Sequence, residues 1–500
     1  MTSTERTGSP VEPVRFASRE GRLVLAATVL GSGVASLDAT VVNVALPRIG
    51  EDLGTGLAGL QWTVNAYLLT LAGLLLLGGA LGDRLGRRRV FVAGVVWFAA
   101  ASLLCAVAPS AGLLVGARAL QGAGAALLTP GSLAIIEATF HAEDRAAAIG
   151  AWSGLGGVTT AIGPFVGGWL VDVATWRLVF LLNLPLAAVV VWIAVRHVPE
   201  TRRSAAATGP IDAAGAVLAA LALAGVSWAL IEGPGRGWDG ATLAALAGGV
   251  VAGGAFVARE RRAADPMLPL GVFSSRQFSA ANAVTFVVYG ALGASMFLLP
   301  IQLQRVVGFS ALAAGTALLP MTALLLLLSA RAGRLAARLG PRLPMALGPV
   351  VAGAGLALLV RVGPGSTYVA DVLPAVVVFG LGLALTVAPL TATVLGAAPV
   401  EHAGVASAVN NGVARTAALL AVAAVPTLAG IAGGTTGAAD VAAFSDGFHT
   451  AALITAGMAV AGGLLAAATI RDPDRAVAPR PAVADDHHCP LDAPPLRRSA

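Results

Sequence analysis

Long apolar runs, separated by short polar connectors, recur along the whole chain. A helix that crosses a bilayer needs about 20 mostly apolar residues. Fourteen runs meet that length: 23–46, 60–82, 90–108, 112–134, 147–169, 178–196, 212–231, 240–258, 280–303, 311–331, 343–361, 371–395, 404–430 and 446–470. The flanking segments 1–22 and 471–500 are rich in Pro, Ala and charge and are expected to be disordered tails. Residues 1–22 hold no apolar core, so the first span is expected to act as an uncleaved signal anchor.

Arginine placement tests this count. With residue 1 inside, the inner connectors and tails hold 25 arginines, among them Arg84, Arg87, Arg88, Arg89, Arg331, Arg334 and Arg338. The outer connectors hold five: Arg48, Arg177, Arg236, Arg305 and Arg361. Arg118 and Arg415 fall within spans. The positive-inside rule is obeyed strongly, and a missed or invented span would have reversed the alternation downstream. A multi-pass protein of the plasma membrane with both termini cytoplasmic is expected.

Composition agrees. The chain is 57% hydrophobic and 12% charged, with a mean hydropathy of +0.82; soluble chains carry about 25% charged residues. Its 62 glycines suit close helix packing in lipid. All 32 basic residues are arginine. Without lysine there is no P-loop, so the chain cannot drive transport with ATP by that route, and no Schiff base can form. The pI near 10.4 does not signal nucleic-acid binding, because the arginines lie in short clusters between apolar runs. His487-His488-Cys489 could bind a metal, but it lacks further ligands, and Cys105 is far off in a span. No metal and no cofactor are expected. No nucleophile–base set lies within the spans, so an enzyme is not expected either.

The most informative residue is Asp38, in the run Leu37-Asp38-Ala39-Thr40-Val41-Val42-Asn43-Val44-Ala45-Leu46-Pro47 of the first span. A carboxylate at the membrane centre costs about 3 kcal/mol on insertion scales, so it must face a cavity or a partner. It shares a helical face with Gly31, Ala35 and Val42. Arg118 lies at a compatible depth in the fourth span, and each can be the other's partner. Two roles are open to the pair: proton coupling, or a static ion pair that fixes helix 1 on helix 4.

Two further patterns stand out. Gly79-Ala80-Leu81-Gly82-Asp83-Arg84-Leu85-Gly86-Arg87-Arg88 after helix 2 and Gly333-Arg334-Leu335-Ala336-Ala337-Arg338-Leu339-Gly340-Pro341-Arg342 after helix 10 share Gly-x-Leu-x-x-Arg-Leu-Gly-x-Arg. The offset predicts six helices (23–196), an inserted pair (212–258) and six more (280–470). Gly79, Gly82 and Gly86 allow a tight exit. In helix 5, Ser153, Gly156, Thr160, Gly163 and Gly167 form a small-residue stripe, and Pro164 favours a kink. The stripe is read either as a packed seam that limits proton leak or as generic packing.

These motifs resemble the major facilitator superfamily, and within it the fourteen-helix drug:proton antiporters. Leu37–Pro47 is similar to that subfamily's first-helix signature, and Gly79–Arg88 to the superfamily's loop motif. Arg118-Ala119-Leu120-Gln121-Gly122 is similar to the helix 4 motif, and Gly163-Pro164-Phe165-Val166-Gly167-Gly168 to the helix 5 antiporter motif. Trp176-Arg177 with Phe180, Asn183 and Pro185 resembles the start of the subfamily's helix 6. Thr159 stands where a glycine is usual, and Ala337 replaces the acid in the second loop copy.

The resemblance implies an all-α polytopic major facilitator fold: two six-helix bundles plus an inserted pair. It implies a monomeric, proton-coupled antiporter that exports amphipathic small molecules and so confers drug or antibiotic resistance. Asp38 and Arg118 would carry coupling. Gly79, Asp83, Arg84, Gly86, Arg87 and Arg88 would form a conformational lock, with Asp83 docking near Gly404 at the start of helix 13 in the outward-facing state; the alternative is a mere topology determinant. Gly163, Pro164, Gly167 and Gly168 would form the antiporter seam. Asn43, Gln61, Trp62, Asn65 and Tyr67 are expected to line the substrate cavity. Helix 13 has Asn410, Asn411 and Arg415 but no acid, which counts against divalent cationic substrates. An importing symporter or uniporter is the alternative function.

Overall fold

The computed structural model describes residues 13–202, 212–263, 266–397, 403–431 and 438–472. The His487-His488-Cys489 run lies outside the described residues. Among the described residues, fourteen helices are long and apolar enough to cross a membrane: α1 (Arg19–Asp52), α2 (Leu57–Leu85), α3 (Arg87–Ala106), α4 (Ala111–Thr139), α5 (Ala142–Val173), α6 (Leu178–His197), α7 (Ala213–Arg236), α8 (Gly240–Glu260), α9 (Arg276–Arg305), α10 (Ala311–Leu339), α11 (Arg342–Arg361), α12 (Tyr368–Gly396), α13 (Gly404–Leu428) and α14 (Asp440–Thr469). Several overrun the apolar spans read from sequence, because polar connectors continue and cap them. Ser18, Asp212, Asp239 and Ser275 each accept a backbone N–H at the start of α1, α7, α8 and α9. The expected disordered segment 1–22 differs in its described part: Val14 exchanges backbone hydrogen bonds with the end of α4 and its connector, and α1 already begins at Arg19.

The first six helices pack on one another, and so do the last six. The inserted helices α7 and α8 cross at Gly225 and Gly249, where a Cβ on Gly225 would lie 2.9 Å from the Gly249 Cα. Glycine on both sides lets the backbones meet. Helix α8 exposes Val250 and Val251. Helix α7 touches both halves. The Trp62 indole on α2 donates to Glu232 Oε1 at 2.8 Å, and the Thr427 hydroxyl on α13 donates to the Leu230 carbonyl at 3.0 Å.

The loop repeat has a structural counterpart. Gly86 and Gly340 take φ of +111° and +91°, values that favour glycine. Only Gly86 among the three loop glycines is needed for the turn. A Cβ on Gly82 would meet nothing, and one on Gly79 would touch only Pro130; the close approach of α2 to α4 is made one residue earlier, by Gly78 against Ala126 and Leu127.

One face of the molecule carries the arginine-rich connectors, and the halves are sealed at the opposite face. Asp172, at the end of α5, accepts from Ala311 N at 3.1 Å and Leu312 N at 2.8 Å, the first amides of α10. Gln304 of α9 donates to the Val44 carbonyl at 2.9 Å. Gln61 of α2 donates to the Val422 carbonyl of α13 at 2.8 Å. Near the arginine-rich face the junction thins to Glu137 of α4 beside Gly404 of α13.

Candidate functional site

Asp38 lies at the centre of a buried polar cluster drawn from five helices. It is fully buried, and Arg118 is 1% exposed. Arg118 Nη1 donates to Asp38 Oδ2 at 2.5 Å and to Gln121 Oε1 at 2.5 Å. The other carboxylate oxygen, Oδ1, accepts from Gln121 Nε2 and from Asn183 Nδ2, each at 2.9 Å. Gln121 and Asn183 also donate to the Ser102 hydroxyl, at 2.8 and 3.2 Å. Arg118 Nε donates to the Thr63 carbonyl at 3.0 Å, and its guanidinium lies over the Tyr67 ring, 4.4 Å from the centroid. The Tyr67 hydroxyl in turn donates to the Ala35 carbonyl of α1 at 3.3 Å.

Helix geometry explains the assembly. Arg118 and Gln121 sit three residues apart, so both side chains leave the same face of α4. Gly122 beside them lets α4 approach α2 at Tyr67 and Thr70. Gly31, about two turns before Asp38, accepts the Phe91 ring from α3, so the room left by the small residues on that face is filled by a neighbouring helix. The charges are compensated, and each carboxylate oxygen has a donor. Removing one partner of such a buried pair typically costs about 3–5 kcal/mol, because it leaves the other charge unanswered. Protonating Asp38 has that electrostatic consequence for Arg118 without removing any side chain.

Ser102, Asn183, Thr63 and Gln121 were not singled out as site residues from sequence. The usable signal was the isolated polar side chain in an apolar span. Asn183 and Gln121 lie within the helix 6 and helix 4 motifs, but their convergence from α6 and α4 needs the fold.

The remaining expected residues divide. Gly163 faces Thr40 and Gly167 faces Val41, both on α1, while Gly168 lies against the Ala311 backbone of α10 and Pro164 against Gly315. These four positions form a tight three-helix seam. The inner part of the stripe differs: Ser153 and Thr160 are exposed, and a Cβ on Gly156 would meet nothing. The stripe packs only toward the sealed face, where Gly163 and Gly167 meet Thr40 and Val41 of α1. Thr159, in place of the usual glycine, fills the space opposite Gly33.

In the loop, Asp83 Oδ1 pairs with its own neighbour Arg87, at 2.9 Å from Nε and 2.8 Å from Nη2. Arg87 also reaches the Ala134 carbonyl at 3.2 Å. The carboxylate beside Gly404 belongs to Glu137, not Asp83. Arg88 pairs with Glu200 at 3.6 Å, while Arg84 enters no ion pair among the described residues.

Of the cavity candidates, Gln61 is committed to the α13 carbonyls, Trp62 to Glu232, and Tyr67 to Arg118 and Ala35. Their hydrogen-bonding groups hold helices together, a use that amphipathic residues at a helix seam serve as readily as ligand binding. Among the described residues, Asn43 Oδ1 and both amide atoms of Asn65 are buried without a partner. Those two remain available to a ligand or to water.

The comparisons with known proteins agree with one another. The sequence profile of the Major Facilitator Superfamily matches residues 28–422. The chain is 36% identical over 412 residues to the methylenomycin A resistance protein of Bacillus subtilis, covering 81% of this chain and 87% of that one. It is 36% identical to the multidrug resistance protein Stp of Mycobacterium tuberculosis, with 79% and 73% covered. It is also 36% identical to the tetracenomycin C resistance and export protein of Streptomyces glaucescens, with 77% and 72% covered. Two solved structures share the fold. One is a bacterial homologue of the human lysosomal transporter Spinster, at a TM-score of 0.63 and 17% identity, with 91% and 98% covered. The other is the POT family transporter PepTSo, at a TM-score of 0.64 and 14% identity, with 90% and 97% covered.

Proposed function

The chain belongs to the major facilitator superfamily, and from that footing we propose that it exports amphipathic small molecules in exchange for protons, by alternating access across the plasma membrane. The arginine-rich face is read as cytoplasmic, by the positive-inside rule. On this reading the structure is closed to the outside and its next step is outward opening.

One observation carries the coupling: Asp38 is a fully buried carboxylate whose ionic partner and two neutral donors come from other helices. An ionised Asp38 holds α1 against α4 and α6. A proton delivered from outside removes its charge and loosens Arg118, which keeps the Thr63 carbonyl and Gln121 as acceptors. Tyr67, lying between Arg118 and α1, is placed to pass that change to α2. The protonated form favours one facing state and the ionised form the other, which is what exchange requires. The names of the relatives speak of resistance and export, and this chain is read likewise. Loop Asp83–Arg88 supports the arginine-rich side of the cycle, and the seam of Gly163, Pro164, Gly167 and Gly168 keeps the outer side tight. The unit is taken to act as a monomer.

The test uses inside-out vesicles of an efflux-deficient host. An acidic lumen should drive uptake of exported compounds by the natural chain, and Asp38→Asn should abolish that uptake at equal abundance. Undiminished proton-driven uptake by the variant would remove Asp38 from the coupling path.

A further inference from the structure

Arg415 is a second membrane-embedded arginine, and unlike Arg118 it has no answering carboxylate among the described residues. It lies near the midpoint of α13 (Gly404–Leu428), roughly 17 Å from the start of that helix at 1.5 Å per residue. Among the described residues it forms no ion pair. A lone charge at that depth is costly, and faces water or a ligand rather than lipid.

Its surroundings fix which. The face of α13 through Ala408, Asn411, Arg415 and Val422 follows spacings of three, four and seven residues. Asn411 is exposed, Arg415 is half-buried, and Val422 is 1% exposed. From Asn411 onward, burial therefore rises along the face toward the seal where Gln61 grips the Val422 and Ala423 carbonyls. An exposed amide inside a spanning helix belongs in a wet gap, not in hydrocarbon. Arg415 thus stands at the blind end of a gap between the halves. The phenols of Tyr67 on α2 and Tyr289 on α9 both lie within its electrostatic reach. The charges around Tyr67 are Asp38, Arg118 and Arg415, one negative and two positive. Asp38 is already engaged by Arg118.

We propose that Arg415 reads the charge of the cargo, and that the preferred cargo is an amphipath bearing a singly anionic group such as a carboxylate or sulfonate. The guanidinium fork takes such a group through two hydrogen bonds, and the apolar body lies along the seam. The inference rests on the export reading and adds a substrate class to it.

The test uses permanently charged probes with one aromatic body, a naphthalene sulfonate and a naphthyl trimethylammonium, with the neutral naphthalene sulfonamide alongside. The purified full chain is reconstituted inside-out and energised with a proton gradient, with Asp38→Asn vesicles as the background. The sulfonate should be taken up at least tenfold better than the trimethylammonium. Arg415→Gln should lower sulfonate uptake about tenfold or more and leave the sulfonamide nearly unchanged, while Arg415→Lys, which keeps the charge but loses the fork, should fall between Arg415→Gln and the natural chain. Preference for the cation, or a sulfonate preference that survives Arg415→Gln, overturns the assignment. The preference of the natural chain decides the matter even where a variant fails to insert. If no probe moves above background while proton-driven uptake of other exported compounds persists, the assignment falls; if that uptake is absent as well, the export reading falls with it.

Discussion

Glu200 and Asp472 hold equivalent posts in the two halves. The Glu200 carboxylate, just after α6, accepts from the Arg88 backbone N–H at 3.2 Å; the Asp472 carboxylate, just after α14, accepts from that of Arg342 at 3.0 Å. Each faces the left-handed glycine of its half, Gly86 or Gly340, and each caps the helix that follows it. A carboxylate at a helix N-terminus is favourable by about 0.3–1 kcal/mol. Glu200→Ala and Asp472→Ala should each lower the thermal midpoint of the purified protein by a few degrees. Because the residues lie in separate halves, the two shifts should add in the double variant; a double variant no less stable than either single would contradict the equivalence.

Asp172→Asn tests the outer seal. The carboxylate tops the first amides of α10, and its loss should weaken the closed outer face by about 1 kcal/mol, a roughly fivefold shift of population. Cysteine labelling from outside, at a position buried in the seal such as Ala314 and after replacing Cys105 and Cys489, should speed up accordingly. Unchanged labelling would show that the seal rests on packing alone.

Gly168→Leu tests that packing. The α10 backbone at Ala311 and Leu312 occupies the space a side chain would need, with the Leu312 Cα 2.7 Å from an ideal Cβ. Overpacking typically costs about 1–3 kcal/mol, and here it falls on the closed outer state. Export should drop severalfold while insertion is retained. Gly156→Leu, where an added Cβ meets nothing, should be far milder. Equal damage from both substitutions would argue against a localised seam.

Trp62→Phe keeps the ring and removes the indole donor to Glu232. Loss of one such bond is worth about 0.5–1.5 kcal/mol. The transport rate should change more than the affinity for the exported compound, because the bond spans α2 and α7 rather than a ligand. A pure affinity change would restore Trp62 to the substrate cavity.

Much of this was legible in the sequence, for physical reasons. Spans are long apolar runs, and the arginine asymmetry fixed their number independently. Asp38 and Arg118 were legible because charge in hydrocarbon demands a partner. Partners distant in sequence were not. Nothing local marks Asn183 as a donor to Asp38, Glu137 as the carboxylate beside Gly404, or Asp172 as a cap on a helix in the other half. Gln61, Trp62 and Tyr67 have the residue types of a binding cavity, but the same types tie helices together, and only geometry separates the two uses.

The inserted pair bears on any attempt to shorten the protein. Within a single turn, α7 satisfies the Trp62 indole of one half through Glu232 and the Thr427 hydroxyl of the other through Leu230. Cutting out residues 212–260 and splicing the ends would leave the Trp62 indole N–H turned toward lipid tails, which accept no hydrogen bonds, and would leave the Thr427 hydroxyl only the Ala423 carbonyl of its own helix, at 3.4 Å. A twelve-helix remnant would therefore not be a minimal transporter with its ornament removed. It would be a transporter with an open wound on the flank where its two halves meet, and restoring it would need new side chains on α2 and α13.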